Sequence, residues 1–520
     1  MFDNGSSRST VKTFDLREVS AALPPGQAVR QDELEDDRLP PLAAEIARTL
    51  QTATISPSVL GGSMRLIDLL IVGGLGLATL YSAVPGLSSL AWLHVVPLVA
   101  AIVLSAAFFQ AADCYQIPVM RTVLPQVGRT LIAWSMVFGV FLISGAFLKP
   151  FQDLPAVWFG LWYSFALIAL TLSRAILSAF VRGWTKKGRL ERRAIIVGGG
   201  ETAADLIHEI EAQSDNDIRI CGIFDDRNDE RSPALVAGYP KLGTIQDLVN
   251  FARIARIDML IVTIPLRAEK RLVEFLQKLW VLPVDIRLSA HTDKVRFRER
   301  ASSFIGTVPF VDVVEKPIAD WDAISKRVFD LFFSVLLLVA LSPLMLAVAA
   351  AIRLDSKGPV LFRQKRYGFN NEVINVLKFR SMYHDMADPS AKKVVTKDDP
   401  RVTKVGRFIR KTSLDELPQL VNVLRGELSL VGPRPHAVNA HTNERLWEQV
   451  VDGYFARHKV RPGVTGWAQI NGWRGEVDTP EKIQKRVEFD VYYIENWSVL
   501  FDLYILLRTP FALLNTENAY

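Results

Sequence analysis

Four apolar stretches, near residues 66–84, 91–111, 130–148 and 157–180, follow one another early in the chain. Each approaches the ~20 residues that an α-helix needs to cross ~30 Å of hydrocarbon. One such stretch could be the buried helix of a soluble domain; four in succession point to a membrane. Arg65, Arg121, Arg129 and the cluster Arg182, Lys186, Lys187 and Arg189 fall before the first, between the second and third, and after the fourth. The other two connections are uncharged at 85–89 and carry one lysine at 149–155. Under the positive-inside rule both chain ends are cytoplasmic. With 49% hydrophobic and 22% charged residues, the chain is too polar for a pure transporter and reads as a membrane protein with a large cytoplasmic part. Cys114 and Cys221, its two cysteines, cannot build a disulfide scaffold or a four-cysteine zinc site. Seven histidines, His436 and His441 among them, lack zinc spacing.

Residues 1–60 mix charges and prolines with no signal-peptide core, and are expected to be a disordered cytoplasmic tail. The spanning helices are expected within 61–183, and the character changes at Arg192. Ala194-Ile195-Ile196-Val197 runs as a strand into Gly198-Gly199-Gly200-Glu201-Thr202-Ala203, then a helical pattern, then a second strand ending at Asp225-Asp226. This strand, G-x-G-x-x-A, helix, strand, acid order is a Rossmann fingerprint, placed at 190–318. Gly198, Gly200 and Asp225 are its candidate nucleotide loop; the alternative is a scaffold that uses its glycines only for the turn and helix packing.

Residues 329–352 form a fifth apolar segment, with Ser342-Pro343 near its middle. Lys326 and Arg327 precede it, Arg353 and Lys357 follow it, and the chain beyond is rich in lysine and arginine. A crossing here would carry that basic region outward, against the orientation of the four preceding helices. The reading consistent with them is a re-entrant helix broken at Ser342-Pro343, where proline removes a hydrogen bond and bends the helix. A kinked spanning helix is the competing one.

The chemistry lies after this segment. In Arg410-Lys411-Thr412-Ser413-Leu414-Asp415-Glu416-Leu417-Pro418, Pro418 fits only the first turn of a helix, which would place Asp415 and Glu416 at its N-terminus. Ser413 and Glu416 also have the spacing of a capping box, which leaves adjacent Asp415 and upstream Arg410 unexplained. Two neighbouring carboxylates beside guanidinium groups suit phosphoryl transfer, one attacking phosphorus and the other binding a metal or handling a proton. Arg434, between Pro433 and Pro435, is either a rigid phosphate grip or part of a plain turn.

Ser-Leu-Asp-Glu-Leu-Pro-Gln at 413–419, Val-Gly-Pro-Arg-Pro at 431–435 and Lys-Phe-Arg-Ser-Met at 378–382 resemble the bacterial sugar transferases. These are polyprenyl-phosphate phosphosugar transferases with a re-entrant helix. Gly358-Pro359-Val360-Leu361-Phe362-Arg363-Gln364 and Lys326-Arg327-x-x-Asp330 match that family too, while the 462–472 and 518–520 segments are most similar to its undecaprenyl-phosphate glucose phosphotransferase branch. The resemblance implies transfer of a sugar-1-phosphate, glucose-1-phosphate in this branch, from a UDP-sugar to undecaprenyl phosphate with release of UMP. It implies Asp415 as nucleophile, Glu416 as its partner for magnesium or a proton, and Arg410 as a phosphate ligand. Arg434, Lys378 and Arg380 are taken as further phosphate or substrate ligands, with Asp415 and Glu416 holding Mg2+. The implied architecture is membrane α plus α/β: four spanning helices, a Rossmann-like domain, and a monotopic catalytic domain at 320–520. The implied setting is the bacterial inner membrane, with catalysis on the cytoplasmic face. A homodimer in membrane lipid, with no nucleic-acid partner, is expected. Val499–Leu514, too short and charged to span, is either an interfacial or a core helix. Membrane-tethered nucleotide-sugar dehydratases share the helix-plus-Rossmann plan, but none of the eleven tyrosines has a lysine four residues later for hydride chemistry.

Overall fold

The computed structural model describes residues 39–52, 54–84, 92–147, 154–213, 217–227, 232–264, 275–276, 279–289, 302–305, 308–386, 399–436, 441–442, 445–446, 454–473, 475 and 479–514. The chain forms two compact units, one made chiefly of Thr52–Arg192, the other taking in most of the chain from Arg193 onward.

The first unit is built on the helices Pro57–Ala83, Trp92–Ala111, Val123–Phe147 and Ala156–Lys186. All four are long and apolar enough to cross a membrane. Their outward faces carry Leu70, Leu142 and Ile168, exposed as lipid-facing residues of a bundle are. Inside, Trp158 and Trp162 donate their indole N–H to the carbonyls of Gly76 and Val72, both at 2.9 Å. A Cβ at position 76 would lie 2.5 Å from the Trp162 ring, so glycine is required for this approach. Asp68 and Arg174 form a fully buried ion pair at 2.6 Å, to which Tyr115 adds a hydroxyl donor at 2.9 Å. Intramembrane charges are costly alone and persist paired.

In the second unit, eight strands form one sheet: β1 (Arg192–Val197), β2 (Ile218–Phe224), β3 (Leu235–Val236), β4 (Tyr239–Gly243), β5 (Met259–Val262), β6 (Asp285–Ser289), β7 (Ser302–Ile305) and β8 (Val308–Val314). Their order is β3-β4-β2-β1-β5-β6-β8-β7. β1, β5 and β6 pair in parallel, and β8 then turns antiparallel to both β6 and β7. β5 is buried throughout, as a parallel strand covered on both faces must be. The fold class read from the sequence, membrane α plus α/β, holds at this level.

The tail expectation needs one correction. Residues 1–38 lie outside the described residues, but Pro41–Thr49 is a helix. Ala43, Ile46, Ala47 and Leu50 recur at helical spacing and are buried, and the Leu50 carbonyl accepts from Arg193 Nη1 at 2.8 Å. That apolar stripe, packed against the helix Ile245–Ile254 and β4, orders a segment whose composition alone suggested disorder.

The C-terminal part begins with one helix, Asp320–Asp355, 36 residues long. Ser342 and Pro343 lie inside it and do not end it, and Ser342 Oγ donates to the Val339 carbonyl at 2.9 Å. The expected break is therefore not an interruption of the helix. A hairpin of β9 (Leu361–Tyr367) and β10 (Val373–Phe379) follows, then the helices Lys404–Lys411 and Gln419–Arg425 and the strand β11 (Ser429–Val431). The strand pair β12 (His441–Thr442) and β13 (Arg445–Leu446), then β14 (Gly463–Thr465) parallel to β11, lead to the helices Pro480–Glu495 and Val499–Leu514.

Candidate active site

Asp415 and Glu416 sit on a single 3-10 turn, Leu414–Glu416, between the helices Lys404–Lys411 and Gln419–Arg425. Ser413 enters this turn in the left-handed region, at φ +58°, and its side chain caps nothing. The capping box is thus absent, and the following helix starts at Gln419 with Pro418 as its N-cap. Glu416 has stronger partners than a backbone amide. Arg434 Nη2 donates to its Oε1 at 2.6 Å and Nη1 to its Oε2 at 3.2 Å, while Lys378 Nζ donates to Oε1 at 3.0 Å. Charge-assisted, forked contacts of this kind outcompete a neutral cap.

Three elements converge to make that clamp. Lys378 stands on β10 opposite Phe362 of β9, so it shares a hairpin face with Gln364 and Arg366. Asn422 ties the helix Gln419–Arg425 to this strand, accepting from Leu377 N at 2.9 Å and donating to the Asn375 carbonyl at 2.8 Å. The arginine-bearing loop 432–435 is fixed at Gly432 N by the Thr465 carbonyl and at the Pro433 carbonyl by Gly463 N. Arg327 Nη1 and Nη2, from the membrane helix, donate to the carbonyls of Val423 and Leu424 at 2.6 and 2.8 Å and close the far end of the helix Gln419–Arg425.

The two carboxylates differ in electrostatics. Burial pushes Glu416 up, but Arg434 and Lys378 outweigh it and hold its carboxyl well below the usual range. Asp415 makes no hydrogen bond or ion pair among the described residues. Burial pushes its carboxyl up and the Glu416 charge adds to this, against Lys378, Arg410 and Arg434. Glu416 is a fixed anion, whereas Asp415 is unencumbered and keeps its oxygens for a ligand or an electrophile. Arg410 acts on Asp415 at Coulomb range from the last turn of its helix.

Arg380 does not join them. It donates to the carbonyls of Lys357 and Ser356 at 2.9 and 2.7 Å and so holds the turn after the membrane helix. Arg366 was not singled out from the sequence. Its Nη1 donates to the Pro435 carbonyl at 3.0 Å, and burial together with neighbouring Arg434 brings its pKa down to about 10. The shared hairpin face with Lys378 was the available signal.

For a divalent metal, no group of three His, Cys, Asp or Glu side chains converges among the described residues. Magnesium needs only one or two carboxylates when substrate phosphates supply the rest. Asp415 fits that role. Glu416, already accepting three cationic donors, fits it poorly.

The glycine loop of the Rossmann-like sheet is closed by its own residues. Gly199 N donates to Asp225 Oδ2 at 2.7 Å, and Arg227 bridges Asp225 and the Gly199 carbonyl at 2.8 and 2.6 Å. Gly198 and Gly200 have φ of +98° and +90°, so their glycines serve the turn. Asp225, the acid of the candidate nucleotide loop, is spent inside the loop.

Residues 321–516 match the bacterial sugar transferase family and residues 110–290 the CoA-binding domain family. An undecaprenyl-phosphate glucose phosphotransferase of Komagataeibacter xylinus is 41% identical over 367 residues, 69% of this chain and 66% of the relative, just under two thirds. A UDP-glucose:undecaprenyl-phosphate glucose-1-phosphate transferase of Escherichia coli is 37% identical over 74% of this chain and 81% of its own length. The exopolysaccharide production protein PSS of Rhizobium leguminosarum is 47% identical over 188 residues, 94% of its length. The chain that sets a clamped glutamate beside an open aspartate on the turn Leu414–Glu416 therefore belongs to the bacterial sugar transferase family.

Proposed function

We propose that this enzyme transfers glucose-1-phosphate from UDP-glucose to undecaprenyl phosphate, releasing UMP, as the first membrane step of exopolysaccharide or capsule synthesis. The observation that carries the reading is the contrast within the dyad: Glu416 immobilised by Arg434 and Lys378, Asp415 free. An Asp415 oxygen attacks the sugar-bearing phosphorus, the bond from that phosphorus to the bridging oxygen breaks, and UMP leaves with the electron pair. The resulting acyl phosphate is attacked at the same phosphorus by an oxygen of the lipid phosphate, which regenerates Asp415. Arg410, Arg434, Lys378 and Arg366 set four cations against two carboxylates, a surplus of two that matches a nucleotide-sugar diphosphate. Magnesium, held by Asp415 and the diphosphate, would neutralise phosphate charge and ease approach of the carboxylate.

The re-entrant reading of Asp320–Asp355 is supported by its two ends. Lys326 and Asp330 bond to β11 or to Asp502, while Asp355 accepts from Val405 N at 3.1 Å and Ile352 packs with Phe379 and Ile409. Lys326 and Ile352 would be ~39 Å apart along a straight helix, yet both rest on one domain. Between them Val339 and Leu346 are 70% and 71% exposed, suited to lipid. Both ends on one side, the cytoplasmic side of the inner membrane, reconcile these facts. Val499–Leu514 fits an interfacial helix: Asp502 and Ile505 are buried, while Leu500, Leu507 and Phe511 face outward.

The test is purified protein given UDP-glucose without lipid. A phosphosugar adduct on Asp415, absent from Asp415→Asn and from protein held in EDTA, is expected, with UMP released in equal amount. An Asp415→Asn variant that turns over, or an adduct indifferent to EDTA, removes the nucleophile or the magnesium respectively. The homodimer is part of the same proposal and is tested by mass photometry in nanodiscs, where a monomer mass rejects it.

A further inference from the structure

At the main chain of Arg434 lies a second set of buried charges that the transfer scheme does not use. Arg457, on the 3-10 turn Tyr454–Lys459, is fully buried. Its Nη2 donates to the Arg434 carbonyl at 2.7 Å and also meets Asp490 Oδ2 at 2.6 Å. Asp490, on the helix Pro480–Glu495, is itself buried. The His436 ring lies against Nη1 at 2.8 Å and bonds through Nδ1 to the Tyr454 hydroxyl at 2.7 Å. Burial and the charge of Arg457 keep this imidazole well below its ordinary pKa, so it stays neutral beside the guanidinium.

Loop 432–435 presents one guanidinium to Glu416, while its carbonyls at Pro433, Arg434 and Pro435 accept from Gly463 N, Arg457 and Arg366. Without Arg457, the Arg434 carbonyl would lose its buried donor and Asp490 its ion-pair partner, leaving Arg486 to act on it only at Coulomb range. We propose that Arg457 is a positioning residue for the transfer reaction, holding the Arg434 main chain so that the Arg434 fork stays seated on Glu416. The contacts run from Asp490 through Arg457 to the Arg434 carbonyl, and from the Arg434 guanidinium to Glu416, so each guanidinium is neutralised by its own carboxylate. Lysine at 457 would keep the charge but could not reach both Asp490 and the Arg434 carbonyl from one planar group. This inference rests on the transferase reading for its kinetic arm.

The experiment uses the full-length protein in detergent. Arg457→Lys should retain a wild-type melting temperature and lose ~10²-fold in the rate of adduct formation, the size expected when a reacting geometry slips by about 1 Å. In an Arg434→Lys background the same change should cost less than about threefold, because the group it positions is already lost. Hydrogen exchange of the 429–436 peptide, read without substrate, should quicken in Arg457→Lys. If wild-type protein forms no adduct, the transferase reading fails while the exchange result still decides the positioning role. Unchanged exchange, a wild-type rate, or a full additive loss on Arg434→Lys overturns the proposal. Asp490→Asn offers the second variant, with the same expected slowing; if it and Arg457→Lys both fail to fold, Arg457 is a folding residue and the proposal is wrong.

Discussion

The sharpest quantitative test concerns the joint that fastens the membrane helix to the C-terminal helix. Lys326 Nζ donates to Asp502 Oδ2 at 2.6 Å and to the Val431 carbonyl at 2.9 Å, with Asp330 at 3.4 Å. Asp502 also accepts from the Tyr493 hydroxyl at 2.7 Å and from the Trp497 indole at 3.1 Å, and is fully buried. Removing one partner of a buried pair costs about 3–5 kcal/mol, mostly because a charge is left behind. Asp502→Leu strands the ammonium, but Asp330 partly compensates, so the low end, about 3 kcal/mol, is expected. Lys326→Met leaves Asp502 with two neutral donors, and burial already pushes its carboxyl up, so it can accept a proton; the loss is about 2 kcal/mol, that of a charged hydrogen bond. The double variant replaces both charges with apolar groups and should sit within about 1 kcal/mol of wild type. Stability is read by thermal unfolding and by the loss of monodisperse protein after heating in detergent. A double variant as unstable as the two single losses combined would refute the argument, since it would mean that the charges act independently.

Glu416→Gln removes the negative charge beside Asp415, so the acidic limb of kcat/KM should move to lower pH. The sign follows from Asp415 being held above its ordinary value by burial and by Glu416, and from catalysis needing its carboxylate; a limb that stays put or rises in pH contradicts it. Cysteines placed at Trp321 and Lys357, outside the two ends of the apolar segment, should label from the same side in sealed vesicles. Labelling from opposite faces would establish a spanning helix.

Much of the architecture was legible because its signals are local. A membrane helix announces itself in ~20 consecutive residues, and the Rossmann loop in six. What failed depended on distant partners. Lys378 and Arg380 share strand parity, yet β10 ends at Phe379 and Arg380 turns to the carbonyls at 356–357. The spacing of Ser413 and Glu416 resembled a capping box because the sequence does not reveal that Arg434 and Lys378 arrive from elsewhere to claim the glutamate. Arg457 and Asp490 carry no pattern in one dimension; burial of the pair, and its contact with the Arg434 carbonyl, exist only once the helix Pro480–Glu495 has packed.

One consequence of the layout bears on how a water-soluble sugar nucleotide and a lipid meet. The helix Lys404–Lys411 exposes Phe408 at 61% beside exposed Arg407 and Lys411, the pairing of an apolar wedge with basic groups that favours an anionic headgroup layer. Its other side buries Ile409 against Phe379, Val348 and Ile352, the last two from the helix Asp320–Asp355. The same short helix therefore touches the apolar helix Asp320–Asp355, exposes an apolar and basic face, and ends four residues before Asp415. Depth and chemistry are then not separately adjustable. A shift of the membrane helix would move the helix Lys404–Lys411 through their shared apolar contact, and with it the turn that carries Asp415, while Glu416 remained held by Arg434 and Lys378. Because those clamps come from other elements, such a shift would separate the two carboxylates' surroundings, and this ties productive geometry to correct seating in the bilayer.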